Sequence, residues 1–107
     1  MKYLNKKNVF IPLETTEEFN TYHTFVVQVN NRKKLINFLK SKNISTAIHY
    51  PIPIHNQKAY KRIYNLKPNL PKTIEQSKKI LSLPINEHLT ENEIKYISYN
   101  INKFYNL

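Results

Sequence analysis

Tyr22-His23-Thr24-Phe25-Val26-Val27-Gln28-Val29, then Asn30-Asn31, then Arg32-Lys33-Lys34-Leu35-Ile36-Asn37-Phe38-Leu39-Lys40-Ser41-Lys42-Asn43, is the stretch that decides the fold class. Its first part is β-branched and aromatic, with Phe25, Val27 and Val29 alternating on one face, as a half-buried strand requires. Its second part changes period. Leu35, Phe38 and Leu39 fall on one side of a helix and lysines on the other. Asn30 and Asn31 end the strand and can cap the helix. Asn43 stands where a helix needs a left-handed residue, and asparagine is the best substitute for glycine there.

Working outward, the pattern predicts strands near 22–29, 45–50 and 81–85, and helices near 32–42, 55–64, 74–81 and 91–105. Tyr50-Pro51-Ile52-Pro53 stops the second strand, because residues before proline are pushed to extended geometry. Thr73-Ile74-Glu75-Gln76 reads as a capping box. The last element is the clearest: Thr90 is the N-cap, Glu93 closes the box, and Leu89 can staple to Ile94. Ile94, Ile97, Ile101 and Phe104 then recur on one face. Towards the N-terminus, Pro12 limits any strand at Val9-Phe10-Ile11 to an edge or an end. Thr15–Asn20 reads as a surface loop. The order describes a small α+β sandwich, helices on a short, mostly antiparallel sheet.

Composition bounds the function. The 107 residues make one domain, and 40% hydrophobic with 12% aromatic content marks it as globular. No Cys is present, which excludes disulfides and thiolate metal sites and fits a reducing compartment. No apolar run approaches ~20 residues, so no membrane span is expected. The first eight residues lack the apolar stretch of a secretory signal, so the expected location is the cytoplasm. With no Gly, no phosphate-cradling glycine motif can be written in this chain.

The net charge of +10 invites a polyanion partner. Yet Lys, Asn and Ile, all with A/T-rich codons, number 15, 15 and 13, while Arg occurs only at 32 and 62. Lysine without arginine offers point charges and little bidentate readout of bases or phosphates. The lysines are also spread over every segment instead of forming a stripe interleaved with aromatics. Codon bias accounts for the charge better than nucleic acid does. A small basic module, for nucleic acid or an acidic partner, is the alternative reading.

A self-contained catalytic centre is not expected. His23, His49, His55 and His88 have no convergent metal spacing, and Asp is absent, so no Asp can orient a histidine. The glutamates fall in loops and helix first turns, where capping explains them. The dense segment is Ile48-His49-Tyr50-Pro51-Ile52-Pro53-Ile54-His55-Asn56-Gln57. Polar and aromatic groups on a rigid strand end suit a ligand-contacting rim. They equally suit a satisfied histidine and a packed tyrosine at a sheet edge, and spacing alone leaves both readings open.

Three runs together resemble the DegT/DnrJ family of pyridoxal-phosphate-dependent nucleotide-sugar aminotransferases. They are Tyr22–Val29, the run from Leu39 through Ile44-Ser45-Thr46-Ala47-Ile48 and His49-Tyr50-Pro51-Ile52-Pro53-Ile54 to His55, and Ser77–Ile85 with Leu89–Ile94. The His-Tyr-Pro-x-Pro-x-His run and the Leu-Pro before the last helix are specific in combination. Where the family usually has Gly, this chain has Asn43. The resemblance implies the C-terminal small domain of a fold type I enzyme over residues 21–107, with residues 1–20 a lead-in left from an interdomain segment. It implies substrate contacts for His49, Tyr50 and His55, and no catalytic or cofactor-binding residue in this chain. The cofactor lysine would belong to a large domain, either missing or carried by a separate chain. The implied reaction moves an amino group from glutamate to a nucleotide-linked keto-sugar, for polysaccharide or other glycan synthesis. Alone, the chain would be inactive.

Overall fold

The computed structural model describes residues 3–106. Its centre is a three-stranded antiparallel sheet of order β1-β2-β3, formed by Val9–Phe10, Phe25–Val29 and Ile80–Leu83. β2 lies in the middle, pairing Val29 with Val9 on one side and Val27 with Leu81 on the other. Val27 and Val29 are buried and Phe25 packs partly against them, as the alternation predicts. Pro12 follows β1 closely, and β1 is an edge strand.

Helix α1, Arg32–Ser41, lays Leu35 and Leu39 on the core, both fully buried. Asn31 occupies its N-cap in a left-handed conformation and makes no side-chain cap, unlike the expectation. The other end is as expected. Asn43 has φ 58, and its N–H reaches the Lys40 carbonyl while that of Ile44 reaches Leu39. This pair of bonds is a Schellman motif, and it folds Ile44 back into the core beside Leu39. In a chain with no glycine, Asn31, Asn43 and Asn65 take three of the four positive-φ positions among the described residues, and Tyr22 the fourth.

Helix α4, Glu91–Asn106, closes the core with Ile101 buried and Ile97 and Phe104 packed against it. The predicted box forms: the Thr90 N–H donates to Glu93 at 2.8 Å, and the Glu93 N–H returns to Thr90 Oγ1 at 3.3 Å. Side chains tie the helix to distant loops. Tyr105 donates to the Asn30 carbonyl, and Asn102 bonds the backbone of Tyr3 and Asn5.

The strand expected at 81–85 is β3, Ile80–Leu83, and four other boundaries depart further from the sequence expectation. The 45–50 strand reduces to one antiparallel bridge, Ala47 to Ser82. In that register Ser45 would face Pro84, which has no N–H to extend the ladder, and Pro51 turns the chain away at the other end. The 55–64 helix divides into a 3-10 turn, Ile54–Asn56, and α2, Lys58–Tyr64, because Gln57 between them is extended. The helix expected at 74–81 is α3, Pro71–Lys79, with Pro71 in its first turn and no side-chain cap. Thr73 is therefore inside the helix, and proline's preset φ starts it instead of a capping box. The strand expected at 22–29 begins only at Phe25, since Tyr22 is left-handed. Arg32 joins these parts by donating to the carbonyls of Ser77 at 2.6 Å and Ile80 at 3.0 Å.

Candidate functional site

β3 ends at Leu83 and Pro84 carries the chain outward. At one edge of this exit the bridge at Ala47 holds the 45–49 segment, and at the opposite edge the chain enters β2 through His23 and Thr24. The result is a polar cleft of about 370 Å³, lined by His23, Thr24, Ser45, Thr46, His49 and Ser82 together with Ala47 and Leu83–Asn86. His49 Nδ1 lies 2.9 Å from Ser82 Oγ, and Ser82 itself is buried. That hydrogen bond aims the imidazole. Tyr50 follows through a cis peptide, its ring edge-on to His49 at 5.4 Å.

On the other side of the exit lies an apolar groove of about 440 Å³. Leu4, Tyr22, Phe25, Leu89, Ile94 and Ile97 line it, again with Leu83–Asn86. The segment Leu83-Pro84-Ile85-Asn86 is therefore a wall common to both. At the groove, the Tyr22 phenol donates to Glu14 at 2.8 Å. That hydrogen bond, helped by desolvation and the glutamate charge, holds the phenol above its ordinary range.

The three site residues expected from the sequence do not converge. His49 lines the polar cleft. Tyr50 is 71% exposed at its margin. His55 is buried in the 3-10 turn and lines a different cleft, with Asn56 and Lys61. What the sequence reading missed is the hydroxyl set, Thr24, Ser45, Thr46 and Ser82, and the place of His23 beside it. One signal for it was in the sequence: Ser82 interrupts the apolar run Ile80-Leu81-Ser82-Leu83.

Two imidazoles and four hydroxyls offer hydrogen-bond donors and acceptors for a hydroxylated ligand. Among the described residues no group of three His, Cys, Asp or Glu is placed to hold a metal. The polar cleft is lined by no lysine and no carboxylate. Pyridoxal chemistry requires a lysine for the imine and an acidic partner for the ring nitrogen. The cleft's own residues thus do not fit that cofactor; what they offer is hydrogen bonding.

Comparison with known proteins adds the context. The sequence profile of the DegT/DnrJ/EryC1/StrS aminotransferase family matches residues 2–102. A dTDP-3-amino-3,6-dideoxy-alpha-D-galactopyranose transaminase of Aneurinibacillus thermoaerophilus is 29% identical over 104 residues, 97% of this chain and 28% of that protein. A dTDP-3-amino-3,4,6-trideoxy-alpha-D-glucose transaminase of Streptomyces venezuelae is 32% identical over 79 residues, 74% of this chain and 21% of that protein. Among solved structures, a DegT DnrJ EryC1 StrS aminotransferase from Brucella abortus superposes with a TM-score of 0.84 at 29% identity. The match covers 92% of this chain and 26% of that one. The chain thus spans about a quarter of the length of these relatives.

Proposed function

The chain belongs to the DegT/DnrJ/EryC1/StrS aminotransferase family, and from that premise we propose that it serves as the C-terminal small domain of a nucleotide-sugar aminotransferase. Residues 21–107 form that domain, and residues 1–20 lead into it. The polar cleft contributes contacts to a nucleotide-linked keto-sugar, with His49 as the central contact, Tyr50 at the margin and His55 supporting the loop that carries both. The amino group comes from glutamate, the product enters glycan synthesis, and the reaction is cytoplasmic. Pyridoxal phosphate is held by a large domain, whose packing on the apolar groove would wall in the adjoining cleft. The observation that carries this reading is the wall Leu83–Asn86, faced by imidazole- and hydroxyl-bearing residues on one side and almost wholly by apolar ones on the other. A sugar needs the first side. The second exposes apolar surface of the kind a partner covers.

The test is a graft. Residues 2–102 replace the matching quarter of the Brucella relative, and amino transfer from glutamate to a nucleotide-linked keto-sugar is measured. The chimera is expected to transaminate, and His49→Ala in it to raise the KM about tenfold or more, the loss expected of a hydrogen-bonded contact. A folded, cofactor-loaded chimera without activity, or one indifferent to His49→Ala, overturns the reading. The ungrafted chain mixed with pyridoxal phosphate is expected to keep no imine absorbance through dialysis. A stable adduct at one lysine would contradict the assignment of the cofactor to a large domain.

A further inference from the structure

The negative charge is unevenly placed along the chain. From Phe19 to Ile74 there are ten lysines and arginines and no Asp or Glu. Within that stretch the 3-10 turn, α2 and the loop after it fold around a cleft of about 380 Å³. Asn65 makes this possible, since its left-handed conformation at the end of α2 turns the chain back. Lys61 from the helix and Lys67 from the loop line the cleft together with Asn56 and Asn65. No carboxylate lines it, and the glutamate ion pairs among the described residues go to Lys79, His88 and Lys95, elsewhere on the chain.

A second observation is independent of the charge. His55, which also lines the cleft, is 7% exposed, and its Nε2 is buried without a hydrogen-bond partner among the described residues. A buried polar nitrogen left unpaired is costly, and such atoms are commonly completed by a ligand or an ordered water.

We propose that this cleft is a phosphate-binding site, taking inorganic phosphate, diphosphate or the diphosphate of a small ester. Two ammonium groups match a doubly charged anion as point charges. The two asparagines can add directional N–H donors. The cleft is large enough for a diphosphate, and its donor set contains no acid to repel one. The site does not depend on the aminotransferase reading, because its lining shares no residue with the polar cleft.

The experiment is an NMR titration of the full chain with diphosphate at constant ionic strength. Saturable shifts are expected in the backbone amides of 55–67 and in the His55 imidazole protons, with His23 and His88 unmoved. Lys61→Gln with Lys67→Gln should weaken saturation about tenfold or more, as loss of charge-assisted bonds does. Lys33→Gln with Lys34→Gln removes the same charge from α1 and should leave it unchanged. Both pairs alter exposed side chains, and the remaining amide pattern verifies folding. Linear shifts over all lysines, equal weakening by the α1 pair, or no shift up to about 10 mM, a binding energy too small to matter, would overturn the proposal. Uridine diphosphate in a parallel titration separates the sources. Tighter saturation assigns the site to a nucleotide and equal saturation to the diphosphate alone, and either result supports a phosphate site.

Discussion

The sheet with α1 and α4, and the arm from Tyr50 to Leu70, carry apolar residues to opposite effect. In the first region Leu35, Leu39 and Leu81 are wholly buried. In the second, Tyr50, Ile54 and Ile63 are each more than 70% exposed, and α2 buries no residue at all. Both regions would look alike to a count of hydrophobic residues. The difference is what covers them. The sheet and its helices cover one another, so burial there holds the fold. The arm is held by its prolines, its left-handed Asn65 and the buried His55, and its apolar side chains stay exposed.

That contrast can be broken most directly at Leu81. Leu81→Ala should cost about 2–5 kcal/mol, the range for emptying a close-packed leucine site, read as a lower urea midpoint. A loss under about 1 kcal/mol would mean the centre is not packed as described. The α4 cap should matter less. Thr90→Ala is expected to cost about 1 kcal/mol, measured the same way. Its partner adds a pH signature. The Thr90 N–H, then its hydroxyl, hold the Glu93 carboxylate below the ordinary glutamate range. A lowered folded pKa stabilises the fold above the unfolded value, and that share is lost as pH falls through the folded one. Glu93→Gln should therefore lower stability at neutral and alkaline pH, where that share is present, and change little at acid pH, which flattens the acid side of the stability profile. The smallest effect belongs to the arm. Ile63→Ser should shift stability by no more than about 0.5 kcal/mol. A loss as large as that of Leu81→Ala would show that the arm is folded onto the core.

How far the sequence could be read follows the range of the interactions. The box Thr90 to Glu93 and the stripe Ile94, Ile97, Ile101 and Phe104 involve neighbours three or four residues apart, and both were legible. So was the left-handed Asn43. The box at Thr73 looked the same but failed, because Pro71 two residues earlier had already started the helix. The strand at 45–50 failed for a non-local reason, the proline facing it across the register. Of the site, His49 was legible as the end of an extended segment before proline. Its partner Ser82, 33 residues away, was not.

Alone, then, the sequence determined the periodicity of β2, α1 and α4, the absence of glycine phosphate loops, and the family resemblance carried by the His49–His55 run. Tertiary structure alone decided that His49 joins His23 in one cleft while His55 joins Lys61 and Lys67 in another. The reason is that helix caps and alternation are settled within one turn or one strand. A cleft is settled by which segments the core brings together, and here those segments lie from residue 23 to residue 86.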